Sequence, residues 1–382
     1  MPSLIRTSAL KAAAIAICLG GASLAGQVAP GTQSSDYQSA EKALRAYIDG
    51  TSFSDPDLIR SAFTPSALLL LEKDDQPLWE VPATTYAEWF ADDGKPTGRI
   101  GEIMGIEIDG DIATAKVEIL MPNREVRFVD LFLMKRIEGD WKIISKTADS
   151  APSNRTGERV LLIVSDARHH GDTDIPAGIS FEEAFTAYDV FEREGYTVDF
   201  VSPNGGPVPL TYIQMSDPEH MDHIYDTDFM AKLKDTKAPD EVDPGDYRAV
   251  QFIGGSNAMY GVPENEAIQA IAMTIYEEQG GVISAVCHGT AGVTALKTKD
   301  GRYLVDGKRL TGFPEDYEKK DAAYFDAFPF LIGETVKKRG GAFSFAPKRL
   351  PHVIEDGRLI TGQNPASSEA LAEAVVDRLR AE

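Results

Sequence analysis

Cys287 and His288 are the residues of this chain best placed to do chemistry. They lie together in a stretch of small and apolar residues that runs from Gln279 to Leu296. A thiol becomes a strong nucleophile as thiolate, and an imidazole beside it can take and return the proton. The alternative for such a residue is a buried, inert cysteine. The local pattern favours the nucleophile. Val282–Val286 reads as a strand, Gly280 and Gly281 punctuate it, and Ala291, Val293, Ala295 and Leu296 supply the packing groups of a helix after Gly289. Cys287 is therefore expected on a sharp strand-to-helix turn, where unpaired N–H groups and a partial positive charge favour thiolate.

The rest of the chain must build that turn. Its 382 residues suffice for two domains, each with its own core. A formal charge of −22 without a basic patch speaks against nucleic acid or an anionic membrane as partner. Arg6 and Lys11, the apolar run Ala12 to Leu19 and the small residues Ser23-Leu24-Ala25 read as an export signal, residues 1–25. The run is too short for a permanent span. Cleavage after Ala25 and a bacterial periplasm are expected, with no membrane contact afterwards; an uncleaved anchor is the alternative. A lipoprotein reading through Cys18 is weaker, because Ile17 stands where a small residue is needed. Cleavage takes the charge to −24 and leaves Cys287 as the only cysteine, which excludes an intramolecular disulfide and suits a reactive thiol.

Residues 26–36 read as a leader. Residues 36–150 begin with helical spacing (Ala40, Leu44, Tyr47, Ile48), with further helical pieces at 55–63 and 85–90. The period then changes to strands at 100–108, 112–120, 124–136 and 141–145 joined by turn residues, which makes an α+β domain. Trp79, Tyr86, Trp89 and Phe90 could line a pocket or pack a core. Residues 151–158 form a linker. Residues 159–382 alternate apolar strands (159–165, 196–202, 247–253, 282–286) with helices (181–194, 264–279), the pattern of an α/β open parallel sheet with helices on both faces. Ligands gather at the carboxyl ends of such strands, where Gly254-Gly255 and Cys287 both fall.

Motifs carry two resemblances. Ala46-Tyr47-Ile48-Asp49-Gly50, Phe63-Thr64-Pro65, Asp109–Ala113 and Gly139–Ile143 resemble the nuclear-transport-factor-2-like cone, in its lumazine-binding-like branch. That resemblance implies a cone-like α+β domain for binding or dimerisation. In the second half, Gly178–Ala184, Val201–Gly206, Gly254-Gly255, Ala285–Gly289, Leu310–Phe313 with Glu318, and Thr361–Ser368 occur in order. Together they resemble the ThiJ/PfpI superfamily, which has a flavodoxin-like, class I glutamine-amidotransferase-like fold, in its heat-shock-31-type and glyoxalase III branch.

That resemblance implies roles residue by residue. Cys287 matches the nucleophile and His288 its paired histidine. Glu183, preferred over Glu182, matches a glutamate that reaches the thiol. Glu318, with Glu315 and Asp316 as competitors, matches the acid that orients the histidine. A protonated carboxyl donating to sulfur would stabilise thiolate, and an acceptor on the imidazole would fix its tautomer. Gly254 and Gly255, with the His288 N–H, are candidates for an oxyanion hole. Ser256 and Asn257 stand where relatives carry His-Gly, so they change a polar wall of the substrate site; Thr290 stands where proline is usual.

The implied activity is conversion of a small carbonyl substrate, a 2-oxoaldehyde such as methylglyoxal, into a 2-hydroxy acid without cofactor. Amide or peptide hydrolysis at the same cysteine is the alternative, as is a non-enzymatic envelope chaperone or redox sensor. A homodimer is left open. His169-His170 and His220-x-x-His223 invite a metal reading, but a solvated loop suits their neighbours better, and no metal is expected. His352 reads as structural within a strand. No phosphate loop or dinucleotide fingerprint is found.

Overall fold

The computed structural model describes residues 35–73 and 76–381. The expected export signal, including Cys18, lies outside the described residues. In the first half, the helix Ser35–Ser52 buries Ala40, Ala43, Leu44, Tyr47 and Ile48 at helical spacing. Asp55 starts the next helix, Pro56–Ala62, by accepting the Leu58 N–H at 2.8 Å, with Pro56 at the first helical position. A third short helix covers Ala83–Ala87.

These helices pack against a six-stranded sheet ordered Gln76–Pro82, Phe63–Lys73, Asp140–Pro152, Val126–Ile137, Ile112–Met121 and Ile100–Asp109. Its pairings are antiparallel apart from Phe63–Lys73 with Asp140–Pro152. The first two of these strands are not expected from the sequence. Leu68-Leu69-Leu70-Leu71 is an unbroken apolar run, so it has no period to identify it. The strand Asp140–Pro152 also continues through Ala151 and Pro152, into the segment read as linker.

In the second half the strand order is Val353–Asp356, Leu359–Gly362, Val282–Val286, Tyr247–Phe252, Arg159–Ile163, Thr197–Val201. All neighbours are parallel except the first pair. Without that edge strand, this is the flavodoxin-like order. The inner strands are buried on both faces, which is why they read as continuous apolar runs. Phe181–Arg193 and Ser368–Arg380 pack on one face and Glu266–Glu277 and Thr290–Ala295 on the other. The strand Leu359–Gly362 is missed in the sequence because four residues give too short a pattern. His352 lies one residue before the edge strand, and its N–H donates to Ser367 Oγ at 3.0 Å.

The stretch expected as a solvated loop around His220 and His223 is a helix, Pro218–Tyr225. His220 packs on Phe181 and Phe185 and accepts the Gln214 N–H on Nδ1. His223 stacks on Phe185 with centroids 4.2 Å apart, and its Nε2 is paired with Asp189 at 2.9 Å. Among the described residues no group of three or more His, Cys, Asp or Glu side chains could hold a metal ion.

Candidate active site

Cys287 ends the strand Val282–Val286 and begins a single turn of 3-10 helix, Cys287–Gly289, that runs into Thr290–Ala295. Its φ of +57° is a left-handed conformation that residues other than glycine rarely adopt. Strain of this kind is held where the surrounding fold over-determines it, often at functional sites. Gly289 makes the turn possible, because a Cβ there would lie 2.3 Å from the Phe252 carbonyl oxygen of the neighbouring strand.

Glu183 reaches the thiol from the first turn of the Phe181–Arg193 helix. The side chain is fully buried, and Oε2 accepts the Gly254 N–H at 3.0 Å. The approach depends on glycine: a Cβ at position 254 would sit 2.5 Å from Glu183 Oε2 and 2.9 Å from Cys287 Cβ. Burial pushes the Glu183 carboxyl up to about 8, against the opposing hydrogen bonds with Cys287 and Gly254. Burial and the charge of Glu183 also push the Cys287 thiol well above its usual value, while the N–H groups of His288 and Gly255 pull it down. The N–H groups act in the direction expected from the sequence, but burial beside a carboxyl outweighs them. Burial thus favours the protonated form of both groups, and a Glu183 that keeps its proton can donate it toward the sulfur and so favour thiolate.

On the other side of the sulfur, His288 Nδ1 is 3.5 Å from Cys287 Sγ. Its Nε2 is 2.7 Å from Glu318 Oε1, and Tyr324 donates to Glu318 Oε2 at 3.0 Å. Phe313 stacks on the imidazole at 4.7 Å and fixes its plane. Burial raises the Glu318 carboxyl, but the hydrogen bond and charge of His288, then Tyr324 and Lys348, outweigh it and leave it below the usual carboxylate value. An ionised Glu318 accepts from Nε2–H, which leaves Nδ1 as a base facing the sulfur. The competitors are occupied elsewhere: Glu315 accepts the Gly333 N–H, and Asp316 lies 3.9 Å from Lys320 at the surface.

The glycine pair divides its labour differently from the expectation. Gly254 gives its N–H to Glu183 and does not face the pocket; the N–H groups of Gly255 and His288 reach the sulfur. Ser256 lines the pocket with its Oγ 3.2 Å from His170 Nε2. Asn257 is not a wall of the substrate site. It is fully buried, and its Nδ2 donates to the carbonyls of Ser165 at 2.8 Å and Ala167 at 3.2 Å. The 3-10 turn Ser256–Met259 aims neighbouring side chains in different directions, which sequence position does not reveal. Thr290 is buried and donates to the Thr311 carbonyl at 3.2 Å, a bond proline could not make.

The pocket in front of Cys287 measures about 580 Å³. Among its lining residues that the sequence-based site lacks are His170 and Tyr212. His170 sits among the rings of Tyr260, Tyr324 and Phe328, and burial together with the nearby His288 holds it below the usual imidazole value against the pull of Glu318. Tyr212, at a φ of +61°, hydrogen-bonds Ser256. The available signal was position: His170 follows the first strand of the sheet at its carboxyl end.

An open parallel sheet with a cysteine elbow at the carboxyl end of a central strand, acid on one side and imidazole on the other, is the arrangement of the class I glutamine-amidotransferase-like fold. The chain belongs to the DJ-1/PfpI family, whose model matches residues 175–378. Residues 35–148 match a model of the lumazine-binding-like family. Among curated proteins, the chain is 34% identical over 216 residues to the glutathione-independent glyoxalase HSP31 of Saccharomyces cerevisiae, covering 53% of this chain and 90% of that protein. It is 31% identical over 217 residues to glyoxalase 3 of Candida albicans, covering 52% and 88%. Among solved structures, the crystal structure of glyoxalase III from Candida albicans aligns with a TM-score of 0.52 at 27% identity, covering 58% of this chain and 97% of that one. The crystallographic structure of APC35852 aligns at 0.53 and 34%, covering 59% and 99%.

Proposed function

We propose that the protein is a glutathione-independent glyoxalase of the glyoxalase III type, converting 2-oxoaldehydes such as methylglyoxal into 2-hydroxy acids at Cys287. The observation that carries this reading is the row Glu183, Cys287, His288, Glu318 at the floor of one pocket. That relatives include a glutathione-independent glyoxalase and glyoxalase 3 supports the substrate class. In this reading the Cys287 thiolate adds to the aldehyde carbon, and Glu183 protonates the new oxygen to give a hemithioacetal. The N–H groups of Gly255 and His288, which reach the sulfur, are the donors assigned to that oxygen while it carries charge. His288 Nδ1 then removes the hydrogen from the former aldehyde carbon, forming an enediol. The proton is returned to the neighbouring carbon, which leaves a thioester of the 2-hydroxy acid on sulfur. Water cleaves the carbon–sulfur bond, releasing lactate and restoring the thiol. The first carbon is oxidised and the second reduced, so no external redox agent is consumed.

The test is lactate formation from methylglyoxal by the purified chain without glutathione. The reading predicts turnover by the wild type and its loss in Cys287→Ala; turnover that survives the substitution contradicts it. We also propose, from residues 1–25 alone, that the reaction takes place in an exported compartment.

A further inference from the structure

A second cavity lies in the N-terminal half and shares no lining residue with the pocket in front of Cys287. It measures about 260 Å³ and is walled by Tyr86, Trp89, Phe90 and Phe128. Its polar residues do not balance. Lys146 and Asp130, both almost fully buried, pair at 2.9 Å, and the Tyr47 hydroxyl donates to Asp130 at 2.7 Å. The Lys146 ammonium also lies over the Tyr47 and Tyr86 rings, at 5.4 and 5.6 Å. That group is neutral as a whole. Arg99 adds a further positive charge on the same cavity; the charge of Asp130 acts on it, but among the described residues no carboxylate is in ion-pair contact with it. Its guanidinium lies 5.8 Å from the Phe128 centroid, with Met121 Sδ at 4.0 Å and the Tyr47 hydroxyl as polar neighbours. Among the described residues the buried Nε–H has no hydrogen-bond partner. A half-buried arginine with a spare Nε–H donor on the cavity matches a carboxylate, and the aromatic walls match a ring. The acidic residues Glu72 and Asp149 sit at the exposed mouth, where water screens them.

We propose that this cavity binds a small aromatic carboxylate, with the carboxylate on Arg99 and the ring between Trp89, Phe90 and Phe128. The inference is independent of the reaction at Cys287. The experiment is calorimetric titration of the full chain with benzoate, benzyl alcohol and benzylamine. Benzoate should bind at least about tenfold more tightly than benzyl alcohol, since a charge-assisted bond is worth on the order of 1.5–3 kcal/mol. Benzylamine should bind no better than the alcohol. Arg99→Gln should remove the margin and leave the alcohol unaffected. Ala148, opposite Asp130 in the strand pairing and on the cavity wall, gives a second variant: Ala148→Phe fills the space without changing charge and should abolish binding of both neutral and anionic rings. The proposal is overturned if benzoate shows no saturable binding, if it binds no better than the alcohol, or if the margin survives in Arg99→Gln. Should Arg99→Gln not fold, benzoate binding that survives in Ala148→Phe overturns it equally.

Discussion

At Glu183, burial holds a carboxyl protonated where water would ionise it, and this couples stability to pH. The folded value of about 8 lies above the usual 4.5, so the folded chain keeps a proton that the unfolded chain has released. Stability from this group is complete below the unfolded value and is lost as pH rises through the folded one. Wild-type melting temperature should therefore fall on going from about pH 6 to pH 9, and Glu183→Gln, fixed in the neutral state, should fall less. A matched fall in both proteins contradicts the assignment. The same variant keeps a hydrogen-bond donor to sulfur but cannot shuttle a proton, so its turnover should drop by about 10²-fold or more. Cys287, His288, Glu183 and Glu318 are legible in the sequence because each belongs to an ordered motif. The sign of the thiol's shift is not legible, because it depends on the carboxyl that the fold brings beside it. His170 escapes notice for a related reason: in sequence it pairs with His169, whereas in the fold it pairs with Ser256.

Elements translate these residues into positions. The turn Ser256–Met259 sends Ser256 to the pocket and Asn257 to the protein interior, where it holds the Ser165 and Ala167 carbonyls. Asn257→Ala should thus lower unfolding free energy by about 1–3 kcal/mol, by leaving buried carbonyls unpaired. Denaturant melts measure the loss, and KM for methylglyoxal should stay unchanged; a raised KM at unchanged stability would restore the substrate-contact reading. The alternation of strand and helix was readable because the inner strands are apolar on both faces. Strands Phe63–Lys73 and Leu359–Gly362 were not, one for want of period and the other for want of length.

Across the whole molecule, the two halves meet through charged groups. Arg159, at the start of the first parallel strand, bonds Asp199 at 2.8 Å and Glu102 of the N-terminal sheet at 3.2 Å, and the Tyr247 hydroxyl donates to Asp199 at 2.8 Å. Burial raises the Asp199 carboxyl, but Arg159 and then the nearby lysines and Tyr247 hold it below its usual value. Arg155 likewise joins Glu118 of the N-terminal sheet to Glu192 on the helix that carries Glu183. Such long-range pairs leave no local pattern, so the contact between the halves is not readable from the sequence. Arg159→Ala leaves the buried Asp199 without its direct ion-pair partner and should cost about 3 kcal/mol in denaturant unfolding. A loss below about 1 kcal/mol would place the pair among screened surface contacts. The proposed reaction requires a carbon–sulfur bond at Cys287. Rapid quenching of the full chain with methylglyoxal, followed by intact-mass and peptide spectrometry, tests it most directly. The account predicts one substrate-sized adduct on the Cys287 peptide, absent from Cys287→Ala; lactate production with no adduct on that peptide at any quench time would contradict it.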